Sequence, residues 1–201
     1  MLYALCYLDP FPIYLVHMAS YWGSVCLVHL IKGQQFPNNW GVYATRVLML
    51  QLLITPMFAP LVALLSSPLE KDMHAAWQLP LCAVLTEVIF SPIHLVIHRS
   101  KFLYRHVHAL HHSKKPYIGV CALYATVYEH VILNMLPPLL AGLVARCNTW
   151  VACVWVAAAT SNTVWVHSYN SNHHRHHANP ASNYGIGTYL MDKYITKSFL
   201  V

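Results

Sequence analysis

Asn172-His173-His174-Arg175-His176-His177 places four imidazoles within five residues. A neutral imidazole carries one donor and one acceptor that both need partners, and protonated rings so close would repel one another. Neutral imidazole bound to a metal ion resolves both difficulties. Two more groups stand upstream, His94-Leu95-Val96-Ile97-His98 and His108-Ala109-Leu110-His111-His112, so three clusters hold nine of the chain's 15 histidines. His94 and His98 are spaced i, i+4. His108, His111 and His112 are spaced i, i+3, i+4, and His173, His176 and His177 repeat that spacing. On a helix each set shares one face. These eight imidazoles exceed the needs of one ion, because a structural zinc site takes four ligands and a catalytic one keeps an open position. Two ions with vacancies fit better, although imidazole alone does not choose among zinc, copper, nickel and iron.

The surroundings of these clusters are those of a membrane protein. The 201 residues are 57% hydrophobic and only 9% charged, with a mean hydropathy of +0.45, where soluble domains average about 25% charged. The fold class expected is all-α, a polytopic transmembrane helical bundle of four to five spans carrying its histidine metal site on the cytoplasmic face. The length predicts a single membrane-embedded domain over 1–201, with N-terminal spans in 1–74 and the histidine-bearing region in 75–201. The net charge of +6 resides in few, local bases, which argues against a nucleic-acid groove and for a cytoplasmic membrane face. Six cysteines, at 6, 26, 82, 121, 147 and 153, lack CxxC spacing and read as small buried hydrophobes. Tryptophans and tyrosines read as packing residues or interface anchors.

Along the chain, Met1–Ile31 is apolar but interrupted by Asp9, Pro10, Pro12, His17 and His29. Without a basic start or a small-residue cleavage site it reads as a span rather than a signal peptide, with His17 and His29 structural or interfacial. Further apolar stretches are Val47–Ser67, in which Pro56 and Pro60 are expected to cause a bend, then Ala75–His98, Tyr117–Ala145 and Trp150–Val166. The first segment, or part of the fourth, could instead lie in the interface. Charge orders the connections. Lys32 and Arg46 flank one link; Arg99, Lys101, Arg105, Lys114 and Lys115 fill another; Arg175, Lys193 and Lys197 outnumber Asp192 in the tail. The link with Glu70, Lys71, Asp72 and His74 is acidic by comparison. If all five segments cross, the basic links share the cytoplasmic side, and all three histidine clusters and His167 fall there too.

Taken together, these motifs resemble the fatty acid hydroxylase/sterol desaturase superfamily of integral-membrane, non-haem di-iron enzymes over roughly residues 87–197. The resemblance is carried by His94xxxHis98, by Phe102-Leu103-Tyr104-Arg105-His106-Val107-His108-Ala109-Leu110-His111-His112, by Ala122-Leu123-Tyr124, Glu129-His130 and Asn134 to Pro137, by His167-Ser168, by His173xxHis176His177, and by Asn183-Tyr184-Gly185 with Met191-Asp192-Lys193. It implies metal ligands at His94, His98, His108, His111, His112, His173, His176 and His177, joined by His167. It also implies two iron ions, with zinc able to substitute, that use O2 and two electrons to hydroxylate or desaturate a lipid-like substrate such as a sterol, fatty acyl chain or terpenoid. The implied setting is the endoplasmic reticulum membrane.

No haem, flavin or nucleotide motif is visible in the sequence, so a separate donor of the b-type cytochrome/reductase or ferredoxin kind would supply electrons. Glu87 stands where the family commonly has aspartate, and Glu129 lies in an apolar stretch. Each is a candidate for orienting an imidazole through its second nitrogen, with structural pairing the alternative. His130 reads either as a ligand or as a buried polar group, His174 as a supporting or surface residue, and His106 as exposed. A different class of function stays open: a metal-binding membrane protein without oxygenase activity, either a non-redox enzyme or an assembly subunit. A histidine-rich transporter fits less well, because the clusters lie at one face rather than along a path through the spans.

Overall fold

Apolar runs of this length satisfy their backbone hydrogen bonds in lipid by becoming helices, and the computed structural model, which describes residues 10–33, 35–59, 77–113, 118–168 and 171–195, shows helices there. All regular structure among the described residues is helical. In chain order the elements are α1 (Pro10–Lys32), α2 (Trp40–Phe58), α3 (Gln78–Arg99), α4 (three consecutive turns over 101–112), α5 (Val127–Val144), α6 (Thr149–Ser168), α7 (Asn172–Ala178) and α8 (Asp192–Ile195). Helices α1, α2, α3, α5 and α6 are each long and apolar enough to cross a membrane, so the chain is a helical membrane bundle.

Prolines shape two of the spans. In α2 a wide π-turn, Leu50–Ile54, gives way to a tight 3-10 turn, Thr55–Phe58, around Pro56. In α5 another wide turn, His130–Met135, precedes Pro137. Proline offers no N–H and its ring opposes the carbonyl four residues back, and a wide turn relieves that conflict. The expected bend at Pro60, the end of the Val47–Ser67 stretch and the acidic link at 70–74 lie outside the described residues. The second span begins earlier than expected, at Trp40.

The Tyr117–Ala145 stretch divides in two. Its first part is a single 3-10 turn, Gly119–Cys121, followed by irregular buried backbone. The span starts only at Val127, where Thr126 accepts a hydrogen bond from Glu129 N (3.1 Å) and donates one to Val107 O (2.7 Å). This threonine caps α5 and ties its start to α4. Gly119 allows the irregular segment to run close to α6, since a Cβ there would stand 2.8 Å from Ser168 Oγ and 2.9 Å from Val164 Cγ1.

Helix α1 packs along α6, and α3 along the second half of α5. One apolar cluster joins α1, α2 and the irregular segment through Tyr21, Val47, Val120 and Val164, with Tyr21 donating to Val120 O at 3.0 Å. Another, around Cys82, Ala141 and Trp155, closes the opposite end. There the Cys82 and Cys147 thiols lie 3.5 Å apart. Cys82, Cys121 and Cys147 are buried as expected, but Cys26 is exposed on α1.

The histidines gather at one end of the bundle. His94 and His98 close α3, Glu129 opens α5 and His167 closes α6. Basic side chains share that end: Lys32 Nζ sits 4.1 Å over the Trp165 ring and Arg46 Nε donates to Ala125 O at 2.7 Å. Replacing Thr126 with alanine removes a cap and a tertiary hydrogen bond together. Thermal unfolding in detergent should show Thr126→Ala less stable by about 1–2 kcal/mol, with Thr126→Ser close to wild type.

Candidate metal centre

Short helices with side-chain caps aim the histidines. Ser100 caps α4 by accepting from Leu103 N at 3.3 Å, and Ser171 caps α7 by accepting from His174 N at 2.9 Å. Within α4 a wide turn, Tyr104–His108, runs directly into the turn Ala109–His112, so the HxxHH face is not that of one regular helix. Nine imidazoles meet in two sets. His94, His98, His108, His112 and His176 form one, and His111, His167, His173 and His177 the other. Within each set, one ring nitrogen from every histidine lies within 4.8 Å of all the others. Both HxxHH motifs are therefore split. From α4, His108 and His112 go to the five-histidine set while His111 turns to the four-histidine set; from α7, His176 goes to the former and His173 and His177 to the latter.

Hydrogen bonds decide which nitrogen each ring presents. His94 Nδ1 bonds Tyr184 O at 2.8 Å, His173 Nδ1 bonds Gly185 O at 3.0 Å and His176 Nδ1 bonds Ser182 O at 2.7 Å. His167 Nδ1 bonds Thr163 O at 2.7 Å and His111 Nδ1 bonds Tyr124 O at 3.3 Å. His108 Nδ1 bonds Glu129 Oε1 at 2.9 Å. A carbonyl oxygen can only accept, so Nδ1 carries the proton and Nε2 is left as a bare lone pair. Yet His111 Nε2 and His167 Nε2 stand 3.1 Å apart, and His94 Nε2 and His108 Nε2 stand 2.9 Å apart. The first contact cannot be an ordinary hydrogen bond, because neither ring has a proton to give there, and the second cannot be one when Glu129 is ionised and holds the His108 proton on Nδ1. Adding one is disfavoured: burial, reinforced by neighbouring imidazoles, holds His108, His111, His112, His173 and His177 far on the neutral side. His176 is pushed down to about 4 by burial, with its bond to Ser182 O acting the other way. Facing lone pairs in a desolvated pocket are what a bound cation would relieve.

The acids act at different removes. Glu129 Oε1 accepts from His108 and lies 3.9 Å from His111 Nδ1, so one carboxylate spans the two sets. Glu87, a candidate for orienting an imidazole, reaches none. It accepts from Ser91 Oγ (3.0 Å), Ile186 N (3.3 Å) and Gly187 N (3.1 Å). Asp192 accepts from Gly185 N at 3.1 Å. The 182–187 loop is thus held through its N–H groups by two acids, while three of its carbonyls hold His94, His173 and His176. Sequence reasoning passed over Asp192 in this role and noted it only as part of a terminal motif. His130 belongs to neither set and contacts Thr55 Oγ1 at 3.0 Å. His174 belongs to neither, and its Nδ1 faces His167 O at 3.5 Å. His106 is exposed.

Beneath this layer, on the membrane side, lies an apolar cavity of about 430 Å³, within the usual range for small-molecule sites. Phe90 separates the two. It lines the cavity, and its ring centroid stands 5.1 Å from His94 and 6.4 Å from His173.

A five-helix membrane bundle with paired polyhistidine sets at one rim defines a class of histidine-box membrane protein. The chain belongs to the fatty acid hydroxylase family, whose profile matches residues 79–196. It is 33% identical over 90 residues to fatty acid hydroxylase domain-containing protein 2 of Macaca fascicularis, and 32% identical over 90 residues to the human protein of that name; each match covers 45% of this chain and 27% of the relative. It is 24% identical over 176 residues to a Dictyostelium discoideum protein provisionally named a methylsterol monooxygenase, covering 77% of this chain and 64% of that one. The chain thus spans about a quarter of the length of the first two relatives. No solved structure matches the chain.

The loop gives a pointed structural test. A Cβ at Gly185 would run into the Glu87 carboxylate and approach Asp192 Oδ2 at 3.0 Å, whereas one at Gly187 meets nothing nearer than 3.8 Å. Gly185→Ala should lower stability by about 1–3 kcal/mol and Gly187→Ala should leave it nearly unchanged, as read by parallel thermal melts.

Proposed function

We propose that the protein is a membrane-bound, two-iron monooxygenase that hydroxylates a lipid drawn from the bilayer. The observation that carries this reading is the pair of imidazole sets whose unprotonated Nε2 atoms converge at 2.9 and 3.1 Å. His94, His98, His108, His112 and His176 would hold one ion, and His111, His167, His173 and His177 the other. Five nitrogens exceed the tetrahedral complement of structural zinc. The 2.9–3.1 Å separations are also shorter than the ~3.4 Å edge of a tetrahedron with metal–nitrogen bonds of ~2.1 Å. Both features argue against a tetrahedral ion and fit one of higher coordination number, for which we take iron, with zinc able to substitute. Bound there, the ion pair would supply two-electron reduction of dioxygen, one oxygen atom entering a C–H bond and the other leaving as water.

The chain's own residues would do the rest. Tyr184, Gly185, Ser182, Thr163 and Tyr124 carbonyls keep the protons on Nδ1, and Glu129 anchors His108 while lying close to His111. The apolar cavity would seat the lipid and exclude water from the reacting carbon, with Phe90 as the wall between hydrocarbon and metal layer. Basic side chains at the histidine end support a cytoplasmic orientation, in the endoplasmic reticulum membrane, where a separate b-type cytochrome/reductase or ferredoxin donor would deliver electrons.

The decisive measurement is metal content beside turnover. Purified protein should retain two iron ions per chain and convert a lipid to a product heavier by one oxygen atom, only with O2 and reductant present. His176→Ala and His111→Ala should each lose one ion and all turnover. Two retained ions without any reductant-dependent product would instead favour the non-oxygenase reading. Glu129→Ala should weaken metal affinity about 10–100-fold, measured by chelator competition.

Acid should empty the centre in a defined window. An unperturbed histidine titrates near 6.5 and His176 is held at about 4, so between these values the unfolded chain takes up protons that the folded one refuses. The stability tied to His176 is complete above about pH 6.5 and falls as pH drops toward 4. In the folded chain His176 stays neutral until the pH falls through about 4, so bound metal should be kept at pH 5 and released below about 4, and release from folded protein already at pH 6 would contradict this.

A further inference from the structure

The cavity carries a polar relay on its wall that the histidine chemistry does not use. Trp22 Nε1 bonds Gln51 Oε1 at 3.0 Å, Gln51 Nε2 meets His17 Nε2 at 3.2 Å, and His17 Nδ1 meets Thr160 Oγ1 at 3.1 Å. Donor and acceptor roles along it follow from one fixed end. Indole N–H can only donate, so the atom it faces is the amide oxygen and the amide nitrogen points to His17. That nitrogen can only donate, so His17 Nε2 accepts and its proton sits on Nδ1. His17 Nδ1 then donates to Thr160 Oγ1, and the Thr160 hydroxyl keeps a proton with no partner among the described residues. Thr163, one turn on, spends its own proton on Ala159 O at 2.9 Å; Thr160 makes no such bond. Thr160 and His17 both line the cavity, whereas Gln51 is buried behind it.

Placement and charge narrow the ligand. Thr160 precedes His167 by seven residues of the same helix, a rise of about 10 Å. The described lining includes Glu87 and no lysine or arginine, so an anionic head group would be buried without a counter-charge. We propose that the cavity takes a neutral lipid whose hydroxyl or carbonyl oxygen accepts a hydrogen bond from Thr160, placing the carbon to be modified about 10 Å away beneath the histidine layer. The relay would hold the hydroxyl proton toward the ligand in the absence of any charge. The fate of that carbon rests on the hydroxylase reading; the binding preference does not.

The test uses the full chain in lipid nanodiscs with three labelled probes of equal length, hexadecanol, hexadecane and palmitate, each corrected for partition into empty discs. Wild type should bind hexadecanol roughly tenfold more tightly than hexadecane, about one buried hydrogen bond, and palmitate at pH 8 no better than hexadecane. Thr160→Val should abolish the preference for the alcohol and Thr160→Ser should keep it. Gln51→Leu, which touches no ligand, should reduce it by releasing the hydroxyl to turn toward its own helix. A loss of fold in Thr160→Val would not excuse the proposal, since Gln51→Leu reads the same ratio independently. Unchanged alcohol-to-alkane ratios in the folded variants, or palmitate bound as tightly as hexadecanol, would overturn it. Metal content measured on the same samples separates the two readings: protein without metal that still shows the preference sinks the oxygenase and leaves the binding site standing.

Discussion

Everything at the rim of the bundle follows from keeping nine imidazoles neutral and turning the same nitrogen of most of them inward. Backbone carbonyls do this more firmly than carboxylates could. A carbonyl cannot donate, so a ring bonded to it through Nδ1 has one permitted tautomer. Tyr184, Gly185, Ser182, Thr163 and Tyr124 impose that choice on His94, His173, His176, His167 and His111. The cost is a set of lone pairs packed against one another in a medium of low dielectric, which is tolerable only with positive charge between them. A cation between the rings would relieve that repulsion, and the fold concentrates it at a single layer.

Because the carbonyls come largely from one loop, the loop becomes the part of the structure that must not move. Its N–H groups at 185, 186 and 187 are taken by Asp192 and Glu87, and its carbonyls at 182, 184 and 185 by histidines. An acid on α3 and an acid on α8 thereby act on the histidine rings of both sets without touching them. This explains the small residue at 185, where a side chain would displace the Glu87 carboxylate. Glu87, eleven residues before His98 on the same helix, sits deeper in the bundle than the histidines and borders the apolar cavity.

Much of the architecture was legible from the chain alone. Apolar runs bounded by basic links marked the spans, and histidine spacing marked the residues that meet. Periodicity failed where the helix is not regular. The face shared by His108, His111 and His112 assumed 3.6 residues per turn, but the wide turn at Tyr104–His108 sends His111 to the other set. The division of α7 is a matter of where its neighbours stand, which no spacing encodes. Tyr117–Ala145 looked like one span because buried irregular backbone is as apolar as a helix. Its true start needed the Thr126 hydroxyl to be seen bonding Val107 across 19 residues. Asp192 and Glu87 work through backbone amides, which leave no side-chain signature.

The two halves of the chain divide the labour. The family profile spans residues 79–196, which supply every imidazole of both sets and the loop that orients them. Helices α1 and α2 lie outside it, and they contribute no member of either set. What they contribute is the far wall of the cavity, through residues such as Ile13, His17, Thr55 and Phe58. A metal layer constrained by mutual lone-pair repulsion tolerates little change, whereas a wall facing hydrocarbon tolerates a great deal so long as its polar atoms are satisfied. In this chain the described wall carries the Thr160 hydroxyl oriented by His17 and no lysine or arginine, which is the basis of the neutral-lipid proposal.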